Sequence, residues 1–383
     1  MRTSSADLPS PSTATAPPVT VPGEAGGAEI RGLVVVFGTP DGEMAAVNGV
    51  DLDLPLGTIT GLVGESGSGK STLALAMMNA VPKPGRIAAG SIRLPSVKDM
   101  TQLRGKALRL ARGSALGYVF QASQNSLNPL KRIGAQLLDL GRAHGMEDKG
   151  VLLARARELC ERMGLDPVRT LSAYQHELSG GMRQRVGIVF ALILNPRVLV
   201  LDEPTTALDM ISQRTVLDIV RDVHRDRHLA TLIITHDIAI VADLADYLAV
   251  MYGGRVVEKG PTRHVLQSAA HPYTRGLIAA IPRISGDIEK AHPLAGRPPD
   301  LLSIPRQGCV FRERCPLAIE RCLLEEPALV PVVEQPGAAL AETGRGAPAP
   351  HAAACHVTAP AGGERGGKGT WSRGGRANLT EGT

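Results

Sequence analysis

Gly64-Glu65-Ser66-Gly67-Ser68-Gly69-Lys70-Ser71-Thr72 stands between two apolar runs, Ile59 to Val63 before it and Leu73 to Met78 after it. That order predicts a strand, a loop and a helix. The loop fits the pattern G-x-x-x-x-G-K-[ST], with Gly64 and Gly69 as outer glycines, Lys70 as the lysine and Ser71 as the hydroxyl residue. Glycines let backbone N–H groups turn inward and approach phosphate oxygens with no Cβ in the way, and the helix start adds its positive end. Lys70 is placed to reach the β- and γ-phosphates and Ser71 to ligate Mg²⁺. In a Gly/Ser-rich chain a bare match is also met as a plain surface loop. The flanking strand and helix decide against that reading, so all nine residues from Gly64 to Thr72 are candidate ligands of a nucleoside triphosphate.

Downstream, Val198-Leu199-Val200-Leu201 has the unbroken hydrophobicity of a strand buried on both faces of a parallel sheet, and it delivers Asp202 and Glu203 at its end. Ligands bind at the carboxyl ends of such strands, so both acids should emerge beside the phosphate loop. Asp202 would complete the Mg²⁺ shell and Glu203 would orient or deprotonate the attacking water. Paired acids after a strand often just open a helix; the loop upstream favours the chemical role. After Thr206, Ala207, Leu208 and Asp209 come a helix from Ile211 to Arg227, a strand from Ala230 to Ile234, and Thr235-His236-Asp237. His236 again follows a buried strand, placed to touch a γ-phosphate.

Between the loop and the acid pair, Ile92 to Leu94 and Leu116 to Phe120 read as strands with a helix from Met100 to Leu110 between them. After Gln121 the pattern turns helical. Ile133 to His144 and Val151 to Met163 carry apolar residues at helical spacing, the second closing at Gly164, so residues from 122 to about 185 form a helical insertion. It ends in Leu178-Ser179-Gly180-Gly181-Met182, where Ser179 is a good N-cap and the two glycines leave N–H groups bare at a helix start. That makes a second anion site. A chain with one phosphate loop needs no second site unless two copies pair head to tail, each helix start closing over the triphosphate held by the other. Upstream, Leu33 to Phe37 and Ala45 to Leu54 alternate as antiparallel strands around the turn Gly38 to Gly42. The Phe37 ring is placed either to stack on a purine or to pack in the core.

A length of 383 residues holds one large or two medium domains. The net charge of +5 is a small excess spread along the chain, and aromatic residues are only 3%. Neither points to nucleic acid, whose binders concentrate basic charge and stack bases on rings. The longest apolar run, Ile188 to Leu194, is far short of the roughly 18 residues that span a bilayer. A subunit without its own membrane span is expected. Residues 1–27, rich in Ser, Thr, Pro and Ala with no apolar core of a secretory signal, and residues 359–383, rich in Gly and Arg, are expected to be disordered tails.

Taken together, GESGSGKST, Gln121 in YVFQ, LSGGM, VLVLDEP, ALD at 207–209 and THD resemble the ATP-binding subunits of ABC transporters, in order and spacing, over about 230 residues from Ile30 to Gly260. The resemblance implies an α/β fold: a nucleotide-binding core with an antiparallel β subdomain and an inserted helical subdomain. It implies ATP hydrolysis in a sandwich dimer, with Lys70, Ser71 and Asp202 on ATP and Mg²⁺, Glu203 as catalytic base and His236 at the γ-phosphate. It further implies that Gln121 links Mg²⁺ to a transmembrane permease, that Ser179, Gly180 and Gly181 act across the dimer, that Asp209 is among the ATP-binding residues, and that the subunit sits on the cytoplasmic face of the membrane. No position of the set is degenerate. MYGGRVVEKG, HPYTRGLIAAIP from His271, LAGRPPDLL and GCVFRERCPLAIERC narrow the likeness to the ATPases of dipeptide and oligopeptide importers, as does SQNSLNPLKRIGAQ. Those importers draw cargo from an external solute-binding protein. The ATPase part is then expected over 28–270 and a small C-terminal domain over 271–358.

Four of the five cysteines, Cys309, Cys315, Cys322 and Cys355, lie in that last part, with five, six and 32 residues between them. Disulfides are improbable in a cytosolic ATPase. The C-x₂₋₄-C pairs usual for zinc are absent, and the wider spacing with Cys315-Pro316 fits a [4Fe–4S] cluster, which the resemblance also implies. Zinc and free thiols stay open as alternatives. Residues 282–358 hold many Pro and Gly and few large apolar side chains, so a small core there would need a metal staple. Cys160, in a helical apolar pattern, reads as a core thiol, and His356 as a bystander. Related ATPases serve nickel and glutathione importers. A soluble ABC ATPase would carry two ATPase units or a long coiled-coil insert, and a GTPase would leave LSGGM unexplained.

Overall fold

The computed structural model describes residues 26–40, 42–121, 126–206, 208–280, 307–332 and 350–359, with residues 294, 296 and 304. The expected tails fall outside these apart from residues 26, 27 and 359, as do Ala207, residues 122–125 and most of LAGRPPDLL. Ahead of the phosphate loop, β1 (Ala28–Thr39) and β2 (Gly42–Leu54) pair antiparallel, with Val35 opposite Val47 and Phe37 opposite Met44. β3 (Thr58–Val63) runs into the loop and α1 (Lys70–Met77), and β4 (Gly85–Arg93) returns to the other edge of β1. Ile30, Leu33, Leu52, Leu54 and Ile92 turn one face of this small sheet onto α1, where Leu73 and Met77 are fully buried.

The expected helix at Met100–Leu110 is broken in two. Asp99 caps a single turn at Met100–Gln102 through Thr101 N–H, Arg104 is extended, and α2 (Gly105–Ser114) starts afresh. β5 (Leu116–Val119) then leads to the insertion, built of α3 (Ile133–Ala143), α4 (Lys149–Arg162), α5 (Pro167–Ser172) and α6 (Gly180–Leu192). Asp148 and Asp166 cap α4 and α5, and the buried Leu137, Leu152, Ala156, Leu159 and Cys160 form one core with α6.

The chain returns through β6 (Val198–Asp202), α7 (Met210–Arg227), β7 (Ala230–Thr235), α8 (Ile238–Leu244), β8 (Tyr247–Tyr252) and β9 (Arg255–Pro261). Short helices α9 (Thr262–Gln267), α10 (Pro272–Ala279) and α11 (Arg321–Leu324) and strands β10 (Val330–Pro331) and β11 (Ala352–Ala353) follow. The main sheet runs β10-β11-β9-β8-β3-β7-β6-β5, parallel from β8 to β5 and antiparallel beyond. Strands β6, β7 and β8 are buried at every residue, which is why their sequences are unbroken apolar runs. The phosphate loop, Gln121, Asp202–Glu203 and His236 therefore all issue from the carboxyl ends of β3, β5, β6 and β7.

Among the described residues, the cysteine-bearing segment packs in two places, one small cluster of Ala270, Ala353 and Ala359 with Val330 and Val332, and one against the main sheet. Cys309, Val310, Phe311 and Cys322 are buried in one cluster with Val63, Ile238, Tyr252, Val257 and Tyr273, and β11 adds to β9 at Glu258 and Lys259. The apolar partners of this second place are supplied by the main sheet.

Candidate active site

Gly64 and Gly69 fix the ends of the phosphate loop by close approach. A Cβ on Gly64 would lie 2.2 Å from the Met251 carbonyl oxygen, and one on Gly69, at φ +101, 2.2 Å from that of Ala46. No other residue fits either place. Ser66 and Gly67 are exposed at the crown, whereas Ser68 and Lys70 are buried. Lys70 Nζ donates to Gly64 O and Glu65 O, both at 2.8 Å, and to Ser68 Oγ at 3.3 Å, so the lysine braces the loop from inside. Burial pulls its pKa below the ordinary value, and the negative charges of Glu203, Asp202 and Glu65 oppose that shift. Thr72 follows in the first turn of α1.

Ser71 Oγ donates to Asp202 Oδ1 at 3.2 Å, and Tyr118 Oη donates to Asp202 Oδ2 at 3.1 Å. Burial raises the Asp202 pKa, and these two hydrogen bonds partly offset the shift. A hydroxyl and a carboxylate side by side are the hard oxygen donors that Mg²⁺ takes together with phosphate. Glu203 stands with φ +48, an uncommon conformation for a residue with a Cβ, held by its N–H on Ile234 O at 2.9 Å. Its carboxylate accepts from Gln121 Nε2 at 3.1 Å, from Thr206 Oγ1 at 2.8 Å, and lies 3.1 Å from His236 Nδ1. Burial acts to raise its pKa but is outweighed by Thr206, His236 and Lys70, leaving it below the usual carboxylate value. Loop, hydroxyl, acid pair, glutamine and histidine thus meet in one place, with His236 on Glu203.

A second group lies at the start of α6. Ser179 Oγ accepts from Met182 N–H at 3.3 Å, and Gly181 lies against Ser212, which donates to Asp209 from both N–H and hydroxyl at 2.9 and 2.7 Å. Among the described residues no hydrogen bond joins Ser179, Gly180 or Gly181 to residues 64–72. Phe37 is half-buried, its ring so close over Gly85 that a Cβ there would be 2.6 Å away. Core packing accounts for that face of the ring.

Three further residues of the site lie in motifs noted above, but their partners there could not be read from sequence. Tyr118 grips Asp202; Tyr273 Oη accepts the Glu65 N–H at 2.8 Å; Arg314 forms a fork on the Glu65 carboxylate at 2.6 and 3.0 Å. Between α2 and the insertion a groove of about 490 Å³, lined by Leu108, Tyr118, Phe120, Leu127, Leu140 and Phe190, runs up to the residue before Gln121.

Cys309, Cys315, Cys322 and Cys355 come within electrostatic reach of one another, and the Cys309 N–H donates to Cys322 O at 2.8 Å. Burial pushes the Cys309 thiol up to about 11 and the Cys315 thiol up to about 12. Among the described residues, however, no three or more His, Cys, Asp or Glu side chains are set at metal-ligand spacing. His356 bonds to Glu325 O, and Cys160 is fully buried among α-helical apolar neighbours.

Residues 47–206 match the family described as "ABC transporter" and residues 257–322 the "Oligopeptide/dipeptide transporter, C-terminal region". The "Dipeptide transport ATP-binding protein DppD" of Caldanaerobacter subterraneus is 40% identical over 299 residues, 78% of this chain and 91% of that one. The "Oligopeptide transport ATP-binding protein OppD" of Salmonella typhimurium is 40% identical over 300 residues, 77% of this chain and 87% of that one. Among solved structures, cbiO1 of Clostridium perfringens, part of the ABC transporter complex cbiONQ, aligns with TM-score 0.54 at 27% identity, covering 63% of this chain and 91% of its own. The dimeric ATP-binding cassette MJ0796 with ADP and Pi shares the fold at TM-score 0.52 and 24% identity, over 62% of this chain and 99% of its own. The chain belongs to the ATP-binding proteins of the ABC transporter family. Within it, the chain carries the C-terminal region of the oligopeptide/dipeptide branch.

Proposed function

We propose that this chain hydrolyses ATP to power import of dipeptides or oligopeptides through a membrane permease. The observation that carries the proposal is the convergence of Lys70, Ser71, Asp202, Glu203, Gln121 and His236 at the carboxyl ends of four strands, on a chain about 40% identical to dipeptide and oligopeptide transport proteins.

Lys70 and the N–H groups of the loop hold the β- and γ-phosphates, and the Ser71 hydroxyl and Asp202 carboxylate are the residues that would hold Mg²⁺. Bound there, Mg²⁺ supplies neutralisation of phosphate charge. Glu203, ionised at neutral pH, accepts a hydrogen bond from the attacking water and fixes its line of approach. An anionic γ-phosphate nearby raises the affinity of Glu203 for the water's proton, opposing the lowering by Thr206, His236 and Lys70. His236 leaves Glu203 for the γ-phosphate, and Gln121, on the same carboxylate, reports the state of the site to the groove beside Phe120. That groove is the proposed seat of a permease segment, and the chain acts at the cytoplasmic membrane face. No helix among the described residues is long and apolar enough to cross a membrane, which supports a peripheral place beside a separate permease.

Ser179, Gly180, Gly181 and Asp209 serve the phosphates of a second ATPase subunit, a copy or a paralogue, in a head-to-tail pair. The lack of any hydrogen bond from Ser179, Gly180 or Gly181 to residues 64–72 among the described residues is consistent with this. For the four cysteines we propose a [4Fe–4S] cluster, zinc being the alternative. A buried set of four soft thiols in one locality supports it. The absence of ligand spacing among the described residues does not.

The test is reconstitution with permease and solute-binding protein in vesicles. Peptide-loaded binding protein should stimulate ATP hydrolysis and drive peptide uptake. Stimulation by nickel or glutathione with none by peptides would move the chain to a related importer.

A further inference from the structure

Glu65 poses an electrostatic problem in the proposed ATP site. It is the second residue of a loop whose partner is a polyanion, and its charge is felt at Lys70. An uncompensated carboxylate there opposes triphosphate binding.

The structure resolves this from a distance of 249 residues. Arg314 places both terminal nitrogens on the Glu65 carboxylate at 2.6 and 3.0 Å, with the Arg314 side chain 7% exposed and the Glu65 side chain 22%. Such a fork is the strong form of the carboxylate ion pair and fixes direction as well as charge. The guanidinium is itself seated over the Tyr252 ring, 5.8 Å from its centroid. On the backbone side, Tyr273 Oη takes the Glu65 N–H at 2.8 Å. The anchors are rigid. Tyr252, Tyr273 and Phe311 meet with ring centroids 4.6 to 5.5 Å apart, and Tyr273 and Phe311 are 0% and 1% exposed. This junction takes three of the chain's four Phe and five Tyr.

We propose that Arg314 and Tyr273 are positioning residues for ATP hydrolysis, holding Glu65 by charge and by backbone so that the phosphate loop is receptive to a triphosphate only while the C-terminal region is seated. This rests on the ATPase reading of the site. Tyr273 lies in HPYTRG and Arg314 in FRERC, so both short motifs of the C-terminal region act on one residue of the loop.

The experiment uses the full chain assembled with its transport partners and compares KM for ATP with kcat. Arg314→Ala should raise KM about ten-fold or more with a smaller change in kcat, as expected when one partner of a buried charge pair is left alone. The double variant Arg314→Ala with Glu65→Gln should recover most of that loss, because the uncompensated charge is gone. A purely architectural role predicts no recovery. Should Arg314→Ala fail to fold, Arg314→Lys keeps the charge without the fork and should raise KM about three-fold or more. An unchanged KM, or a loss that persists in the double variant, overturns the proposal. Lys70→Ala separates the two levels of inference: if it binds Mg-ATP as the wild type does, the ATPase reading itself fails. If it loses binding while the Arg314 variants are silent, only the positioning role fails.

Discussion

Replacing Glu203 by Gln keeps the side chain's shape and removes its charge, at a carboxylate with three partners. The Glu203 side chain is 17% exposed, and Oε2 accepts from both Gln121 and Thr206 while Oε1 faces His236 Nδ1. A glutamine can keep its carbonyl toward Gln121 and Thr206 and turn its amide to His236, whose ring accepts in the alternative tautomer. Fold stability should therefore change by no more than about 1 kcal/mol. What cannot survive is acceptance of a proton from water. Losing a positioned base typically costs about 10²- to 10⁴-fold in rate, or about 2.7 to 5.4 kcal/mol of barrier. The assay is phosphate release at saturating ATP in the assembled transporter, alongside ATP affinity and the melting midpoint. Turnover within a few-fold of wild type, with affinity and midpoint unchanged, refutes the role given to Glu203.

Ser179→Arg should leave ATP affinity of the single subunit within about two-fold while suppressing ATP-driven pairing by light scattering; loss of monomer affinity instead would put the start of α6 on its own nucleotide. Anaerobically purified protein should contain about four iron and four sulfide per chain, lost in Cys315→Ser, whereas zinc without sulfide decides for the alternative. His271 is fully buried, its burial pushing the imidazole down from 6.5 to about 4 with Glu258 opposing and Arg275 assisting, and its Nδ1 accepts Tyr273 N–H to cap α10. Being neutral in the fold and protonated when unfolded, it gives stability that is full above pH 6.5 and falls away as pH drops toward 4. His271→Asn keeps a cap and should flatten that part of the stability profile, by about 3 kcal/mol at the acid end; an unaltered profile in urea titrations at stepped pH would exclude it.

What local pattern can show, it shows here. The strand before Gly64, the acid pair after β6 and His236 after β7 are legible because burial on both faces forces apolar runs, and the residues at their ends are then counted off directly. The break at Arg104 was hidden, because apolar spacing runs on through Met100 to Leu110 while the carboxylate of Asp99 starts a single turn that Leu103 and Arg104 end in extended backbone, and Gly105, at φ +53, begins another. Tyr118, Tyr273 and Arg314 were hidden for a different reason. Each works through a single side chain on a residue 84, 208 or 249 positions away, and no periodicity records such a pairing. That Val310 and Phe311 bury against Tyr252, Val257 and Tyr273 was likewise not legible, because core partners borrowed from another part of the chain leave no trace in the borrower.

Strand β11 is only two residues long, yet it stands between β9 and β10, and β10 at the sheet edge ends in Pro331, which has no N–H to offer a further strand. Residues 350–359 are therefore a hem along this edge of the sheet. A chain cut after residue 349 would keep every residue of the ATP site and lay bare the edge of β9 at Glu258 and Lys259, where β11 had paired. Such a protein would associate edge to edge with its own kind as concentration rises.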